Sequence, residues 1–378
     1  MFKNNKGEGA MNNYVEVDQN KAPARENAWQ TLVRWLDRIG FTPLGLAALI
    51  VIAILPNFSP FNQEHMIRWL IAGAFLGAQA VAFDFTAGYI NVVNFAFAAF
   101  VGVGAYTSAI LANTQPFLIV RPGISPWIGM WVGALLAGLL GLALGMLTLR
   151  LRGIYAAVMA WFVGIALLGL ANNATKLTRG SLGLHPPALL DTTSNLPYFY
   201  VILSMLILIY VTLRLVTKSS YGLAFKAIGQ NIDAARASGI DPTKYRVFNF
   251  ALSCFFAGLL GGFYAHYYGS LTPNGVMHTS KTVEVLAIAY IGGRGSLWGG
   301  AAIAFPFIFI IEYLRSSLTD LPGLQLVIYG VVMIIVMIYY PAGFSGVYYW
   351  AEAKVRAIFY RRRTSPPSQA AQGASPPS

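Results

Sequence analysis

Apolar residues run along this chain in long blocks, near 41–56, 66–86, 92–113, 127–149, 154–171, 198–216, 246–268, 283–299, 300–315 and 323–340, each set off by polar or glycine-rich breaks. A bilayer-crossing helix needs roughly 17 to 25 mostly apolar residues, so the pattern predicts about ten transmembrane helices and an all-α, polytopic membrane protein. The first block is short, and the eighth and ninth are broken by glycine. Between the sixth and seventh blocks the pattern changes. Residues 217–243 hold a polar, basic segment in which Ala224, Phe225, Ala227, Ile228, Ile232, Ala235 and Ser238 form an apolar stripe at helical spacing beside Lys226, Gln230, Asp233 and Arg236. Gly239 can stop a helix there, and Asp241-Pro242 can start the next.

Composition agrees with the pattern. The 378 residues are 56% hydrophobic and only 11% charged, with mean hydropathy +0.58, whereas a soluble domain carries about 25% charged residues. The ends are separable from a core of 41–345. Residues 1–40 are read as a cytoplasmic extension, polar at first and then amphipathic over 28–40 with Trp29 and Trp35, which suits a helix lying in the membrane interface. After 346 the chain is basic and Pro/Ser-rich, with Arg361, Arg362 and Arg363, a composition too polar to build a core. The first apolar block is internal, so no cleavable secretory signal is expected.

The formal net charge of +12 has a membrane explanation. With both termini cytoplasmic and ten spans, only Arg68, Arg121, Lys176, Arg179, Lys281 and Arg315 fall outside, which leaves 20 of the 26 Lys and Arg on the cytoplasmic side. That is the positive-inside pattern, and no nucleic-acid partner is needed to account for it. The single cysteine, Cys254, excludes an intrachain disulfide and reads as a small buried residue. Chemistry is scarce elsewhere. No G-x-x-x-x-G-K-[ST] is present to cradle phosphates, the four histidines have no metal-ligand spacing, and no nucleophile motif appears. No catalytic residue, metal or bound cofactor is therefore assigned to this chain. His266 reads as a hydrogen-bonded residue at a helix rim.

Small residues recur three or four apart in GVGA (102–105), AGLLGLALGM (137–146) and AGLLGGFYAHYYG (257–269), a spacing that lets helix backbones approach. In GYINVVNFAFAAFVGVGAYTSAIL (88–111), Asn91 and Asn94 sit among apolar residues with glycines on both sides. A broken or re-entrant helix is expected, with the amides facing the protein or a pathway, because an unpaired amide is costly in hydrocarbon. Three carboxylates lie near span ends. Glu284 and Glu312 are placed to pair with Lys281 and Arg315 one turn away, and Asp84 is open between a proton-relay and a structural role.

Residues Asp233 to Gly239 resemble the E-A-A-x-x-x-G pattern in the cytoplasmic loop of ATP-binding cassette importer permeases, with Asp in place of Glu. The longer run G-x-x-x-K-A-I-x-x-N-x-x-A-A-x-x-x-G-I is similar to that of the branched-chain amino acid permease family. YAHYYGSLTP (264–273), VEVLAIAYIGGRGSLWGG (283–300), LTRGSLGL (177–184) and PAGFSG (341–346) resemble the same family, over about 65–346 in all. The resemblance implies an importer permease fold in the bacterial inner membrane and a pathway shared with a second, related permease subunit. It also implies two cytoplasmic ATPases that use ATP and Mg, and an extracytoplasmic binding protein that delivers the substrate. Gly222, Lys226, Asn231, Asp233, Ala234, Ala235 and Gly239 would then carry the coupling to the ATPases, and Asn91, Asn94 and Phe97 are the candidates for the substrate pathway. Branched-chain or other hydrophobic amino acids are the expected substrates, with urea or a short amide as the alternative, and a proton-coupled carrier as the rival mechanism.

Overall fold

The computed structural model describes residues 43–59, 61–113, 122–148 and 154–317, with a few more between 327 and 346. The interfacial helix expected over 28–40, most of the tenth apolar block and the tail after 346 lie outside the described residues, as does the side chain of Arg315. The chain divides into two units, Met1–Leu49 and Ile50–Ser378. Of the first, only the opening of helix α1 (Pro43–Ile54) is described.

The helices of the second unit follow the apolar blocks. They are α2 (Glu64–Ala87), α3 (Phe97–Ala112), α4 (Pro126–Thr148), α5 (Ile154–Asn173), the single turn α6 (Thr175–Thr178) and α7 (Leu196–Lys218). After them come α8 (Ser220–Gln230), α9 (Ile232–Ala237), α10 (Pro242–Tyr268), the short α11 (Pro273–Met277), α12 (Thr279–Gly292) and α13 (Trp298–Ser317). Among the described residues no strand forms; Leu184 and Leu271 make one isolated antiparallel bridge. Five helices, α2, α4, α5, α7 and α10, are long and apolar enough to cross a membrane, and Phe97–Ala112 and Trp298–Leu314 are shorter apolar helices.

The two blocks that glycine and Asn mark as breakable are interrupted. Residues 88–96 are non-helical, so the helix expected from residue 92 begins only at Phe97, where Asn91 takes a left-handed backbone with φ 61°. The block at 283–299 is interrupted by a turn after Gly292, because Gly293 and Gly295 also have positive φ.

The centre of the bundle is α10, which packs most extensively on α4 and α3, while α2 is held by α13 and α7. The glycine spacing explains the closeness of the first group, as expected. A Cβ on Gly104 would lie 2.0 Å from the Gly258 carbonyl oxygen, and one on Gly261 would lie 1.9 Å from that of Val101. Only bare glycine lets these backbones touch. The exterior is apolar: Trp131, Leu135, Leu139 and Leu142 on α4 and Phe162 and Ile165 on α5 are exposed. Such a surface would be an association liability in water but is the expected outer face of a helix set in lipid.

Candidate functional site

The end of the bundle that carries α8 and α9 holds the coupling candidates. Ser219 opens α8 by accepting the Tyr221 N–H at 3.3 Å. Asn231 breaks the pair: its Oδ1 accepts the Asp233 and Ala234 N–H groups, both at 3.0 Å, and so caps α9. Helix α9 ends in a Schellman motif, in which Gly239 N–H reaches the Arg236 carbonyl and Ile240 N–H the Ala235 carbonyl, each at 3.0 Å. Gly239 adopts φ +82° with nothing within 4 Å of where a Cβ would sit, so glycine is required there by backbone conformation and not by crowding. Asp241 then caps α10 through Thr243 N–H at 2.9 Å.

The apolar stripe of this segment is turned into the protein. Ala224, Phe225, Ile228 and Ala235 are buried, and the Phe225 ring meets Phe85 edge-on at 5.6 Å and Tyr245 at 6.2 Å. Ala227 and Ile232 are half-buried, and Ser238 is exposed. A helix resting on lipid would turn this stripe outward; here it is covered by α2 and α10. Of the coupling candidates, Gly222 and Ala235 face inward, while Lys226, Asn231, Asp233, Ala234 and Gly239 are exposed. The result is a polar, small-residue knob fixed to the bundle by its apolar side.

Beside it lies the last turn of α2. The four carbonyls at a helix C-terminus have no intrahelical partner, and all four are satisfied here. Asp84 O accepts from Gly88 N–H at 2.7 Å and Thr86 O from Ile90 N–H at 3.2 Å. Phe85 O accepts from Asn249 Nδ2 at 3.0 Å and Ala87 O from Arg294 Nε at 2.9 Å. One turn earlier, Ser253 Oγ donates to Ala82 O at 2.6 Å. Sequence reading missed Asn249, Ser253 and Arg294, although two polar residues four apart in an apolar helix are a usable signal.

Asp84 closes the same junction. Its buried carboxylate accepts Gly295 N–H at 2.8 and 3.0 Å and Leu297 N–H at 3.0 Å, so it anchors the turn between α12 and α13. A Cβ on Gly88 would sit 2.4 Å from the Gly295 nitrogen, which shows how tightly the two backbones meet. Trp298, just after the turn, stands edge-on to Phe344 at 6.2 Å and brings residues 343–346 to this end too.

The pathway candidates are separated by the fold. Asn94 and Phe97 are fully buried: Asn94 Oδ1 accepts Ala96 N–H at 3.1 Å, its amide approaches Cys254 Sγ at 3.7 Å, and Phe97 lies edge-on to Phe83 at 5.5 Å. Asn91 points the other way, its amide donating to the Gly229 carbonyl at 3.4 Å.

At the opposite end, His266 is buried, not at a rim, because the loop around Pro187 folds over it. Its Nδ1 meets the Pro187 carbonyl at 2.7 Å and its Nε2 the Ser108 hydroxyl at 2.8 Å. A carbonyl can only accept, so the proton sits on Nδ1 and, in the neutral ring, Ser108 donates to Nε2. Tyr106 adds a bond to Leu271 O at 3.2 Å. A cavity of about 340 Å³ lined by Asn172, Thr175, Arg179, Ser181 and Leu182 opens beside these loops. Lys281 pairs with Glu284 at 3.2 Å, as its spacing predicts.

A bundle with an apolar exterior, five helices long and apolar enough to cross a membrane and an exposed helical pair locked to one end is that of a multi-pass membrane protein. Residues 65–337 match the family described as branched-chain amino acid transport system / permease component, and the chain belongs to that family. It is 26% identical over 334 residues to the high-affinity branched-chain amino acid transport system permease protein LivM of Salmonella typhimurium, covering 79% of this chain and 74% of that protein. With LivM of Escherichia coli the identity is 25% over 333 residues and the coverage is the same. The autoinducer 2 import system permease protein LsrC of Yersinia pestis is 29% identical over 171 residues, 39% of this chain and 48% of that protein. No solved structure matches the chain significantly.

Proposed function

We propose that this chain is the permease subunit of an ATP-binding cassette importer that carries branched-chain or other hydrophobic amino acids into the cytoplasm. The observation that carries the reading is the α8–α9 pair. Its apolar side is buried on Phe85 and Tyr245 while Lys226, Asn231, Asp233 and Ala234 face outward, the arrangement expected of a lever gripped by a soluble partner. Two relatives matched over 79% of the chain are named for branched-chain amino acid transport, which supports the substrate class.

On this reading the α8 end is cytoplasmic, as are both termini, and the membrane is the bacterial inner membrane. Two ATPases use ATP and Mg and press on Lys226, Asn231, Asp233, Ala234 and the turn at Gly239, with Gly222 and Ala235 seating the lever. A second permease subunit completes the pathway, and a binding protein delivers substrate at the end near His266. When the ATPases close, the glycine-packed helices rock as rigid units between outward-open and inward-open states. Asn94, just before α3, and Phe97, its first residue, then come to line the passage, offering an amide to the substrate's charged groups and an aromatic wall to its side chain.

The test is uptake into liposomes holding the assembled complex and its binding protein. Leucine should enter only when ATP is supplied to the ATPase side. Uptake driven by a pH gradient without ATP would refute the importer reading, and uptake of urea or acetamide but not leucine would refute the substrate class.

A further inference from the structure

We infer that residues 88–96 are the transmission element through which movement of α8 reaches α3, and that Asn91 is the positioning residue that fastens one to the other. The inference rests on the importer reading. Residues 88–96 join the last turn of α2 to the first turn of α3 without helical structure, and they touch α8 at consecutive points. The Gly229 Cα stands so close to the Tyr89 carbonyl that a Cβ there would lie 2.2 Å from its oxygen. Gly229 is in the last turn of α8, where a carbonyl has no intrahelical partner, and the Asn91 amide supplies one at 3.4 Å. Thr217 and Arg214 at the end of α7 are near enough to act on the Tyr89 hydroxyl, and Phe225 sits against Phe85 at 5.6 Å.

The other end of the segment is tied to α3 and its neighbours. Asn94 folds its own backbone through the Ala96 N–H at 3.1 Å, and the Ala98 N–H in the first turn of α3 donates to Thr282 Oγ1 on α12 at 3.0 Å. A displacement of α8 therefore acts on Tyr89 and Asn91 first. Being non-helical, the segment can change its φ and ψ while α3 moves as a unit. The left-handed backbone of Asn91, φ 61°, is one that Asn tolerates better than most residues, and it aims the amide at α8 and away from the interior. The same orientation argues against Asn91 as a substrate ligand.

The complex in liposomes, loaded with ATP and supplied with leucine through its binding protein, tests this by measuring uptake and ATP hydrolysis together. Asn91→Gly keeps the backbone conformation and removes the amide. Asn91→Asp keeps the size but sets a carboxylate against the Gly229 carbonyl, and it serves if the glycine variant folds poorly. Gly229→Ala pushes the two backbones apart.

Each variant should retain its bound ATPases, keep the half-saturating leucine concentration, and lose about tenfold in leucine moved per ATP, within the usual range of coupling between sites. Wild-type uptake per ATP in all three would overturn the inference. So would a raised half-saturating concentration, which would make Asn91 a substrate ligand, or loss of the ATPases, which would make the contact a docking feature. Absence of ATP-dependent uptake in the wild-type complex would instead refute the importer reading, and it would be seen before any variant is made.

Discussion

Replacing Asp84 by Asn tests whether its carboxylate is an anchor or a proton carrier. Two backbone donors, Gly295 N–H and Leu297 N–H, converge on it at 2.8 to 3.0 Å, and Arg294 is near enough to act on it electrostatically. Oδ2 accepts from both donors, so an Asn with its oxygen there keeps both bonds but loses their charge and sets its –NH2 2.8 Å from the Gly295 nitrogen, donor against donor. A hydrogen bond to a charged group contributes about 1.5–3 kcal/mol against about 0.5–1.5 kcal/mol for a neutral one, so neutralising the acceptor of two such bonds costs about 2–3 kcal/mol, and the donor–donor contact adds to it. Relaxation of the turn recovers part of that sum. Asp84→Asn should therefore destabilise the chain by about 2–4 kcal/mol, and Asp84→Ala, which strips both donors, by more.

The assay is unfolding of the purified complex in detergent micelles by increasing SDS, followed by tryptophan fluorescence; Trp298 follows the turn directly and should report its loosening. Uptake should fall in parallel because the α12–α13 turn and the end of α2 lose their fixed relation. An Asn variant as stable as the wild type, within about 0.5 kcal/mol, the span typical of inconsequential surface changes, would refute the anchor. If that stable variant also lost a dependence of uptake on the pH gradient, Asp84 would be a relay.

Two further substitutions probe different parts of the argument. Gly239→Val forces a β-branched residue into φ +82°, a strain of about 1–3 kcal/mol; membrane insertion should survive while uptake and co-purification of the ATPases both fall, and normal uptake with ATPases still bound would exclude the turn from coupling. Gly104→Ala sets a methyl 2.0 Å from the Gly258 carbonyl oxygen and should cost about 1–3 kcal/mol by overpacking, read as lower recovery of folded protein, whereas Gly169→Ala, with nothing within 4 Å, should be neutral or slightly stabilising.

The long helices were legible because a bilayer leaves few alternatives: a block of twenty apolar residues must satisfy its backbone internally, and a helix does so. The two interruptions were harder for the same reason. Residues 88–96 and 293–297 are too short to interrupt a hydropathy pattern by more than a few residues, so the pattern marks the place without the geometry, and what breaks the helix is backbone conformation at Asn91, Gly293, Gly295 and Leu297. Glycines and Asn hinted at this in the first case, and glycines in the second. Leu297, with φ 60°, carried no hint at all. Local motifs fared better than distant partners: Asn231, Gly239 and Asp241 do what their types predict within four residues, and Lys281 finds Glu284. The donors that hold Asp84 lie more than two hundred residues along the chain, and no local pattern encodes that meeting.

That distance is informative about the two segments that most resemble the permease family. The α8–α9 segment and the IGGRGS turn are far apart in sequence and have no obvious common purpose, yet both close on the last turn of α2. Phe225 packs on Phe85, Asn249 and Arg294 complete the carbonyls of Phe85 and Ala87, and Asp84 holds Gly295. A polar group at such a place cannot move alone, since every buried donor or acceptor it releases must find another partner. Motion of the coupling pair that shifts Phe85 must carry the α12–α13 turn with it or break bonds to Asp84 and Arg294. The end of α2 therefore behaves as one rigid junction, and the non-helical residues that follow it are where the chain can yield.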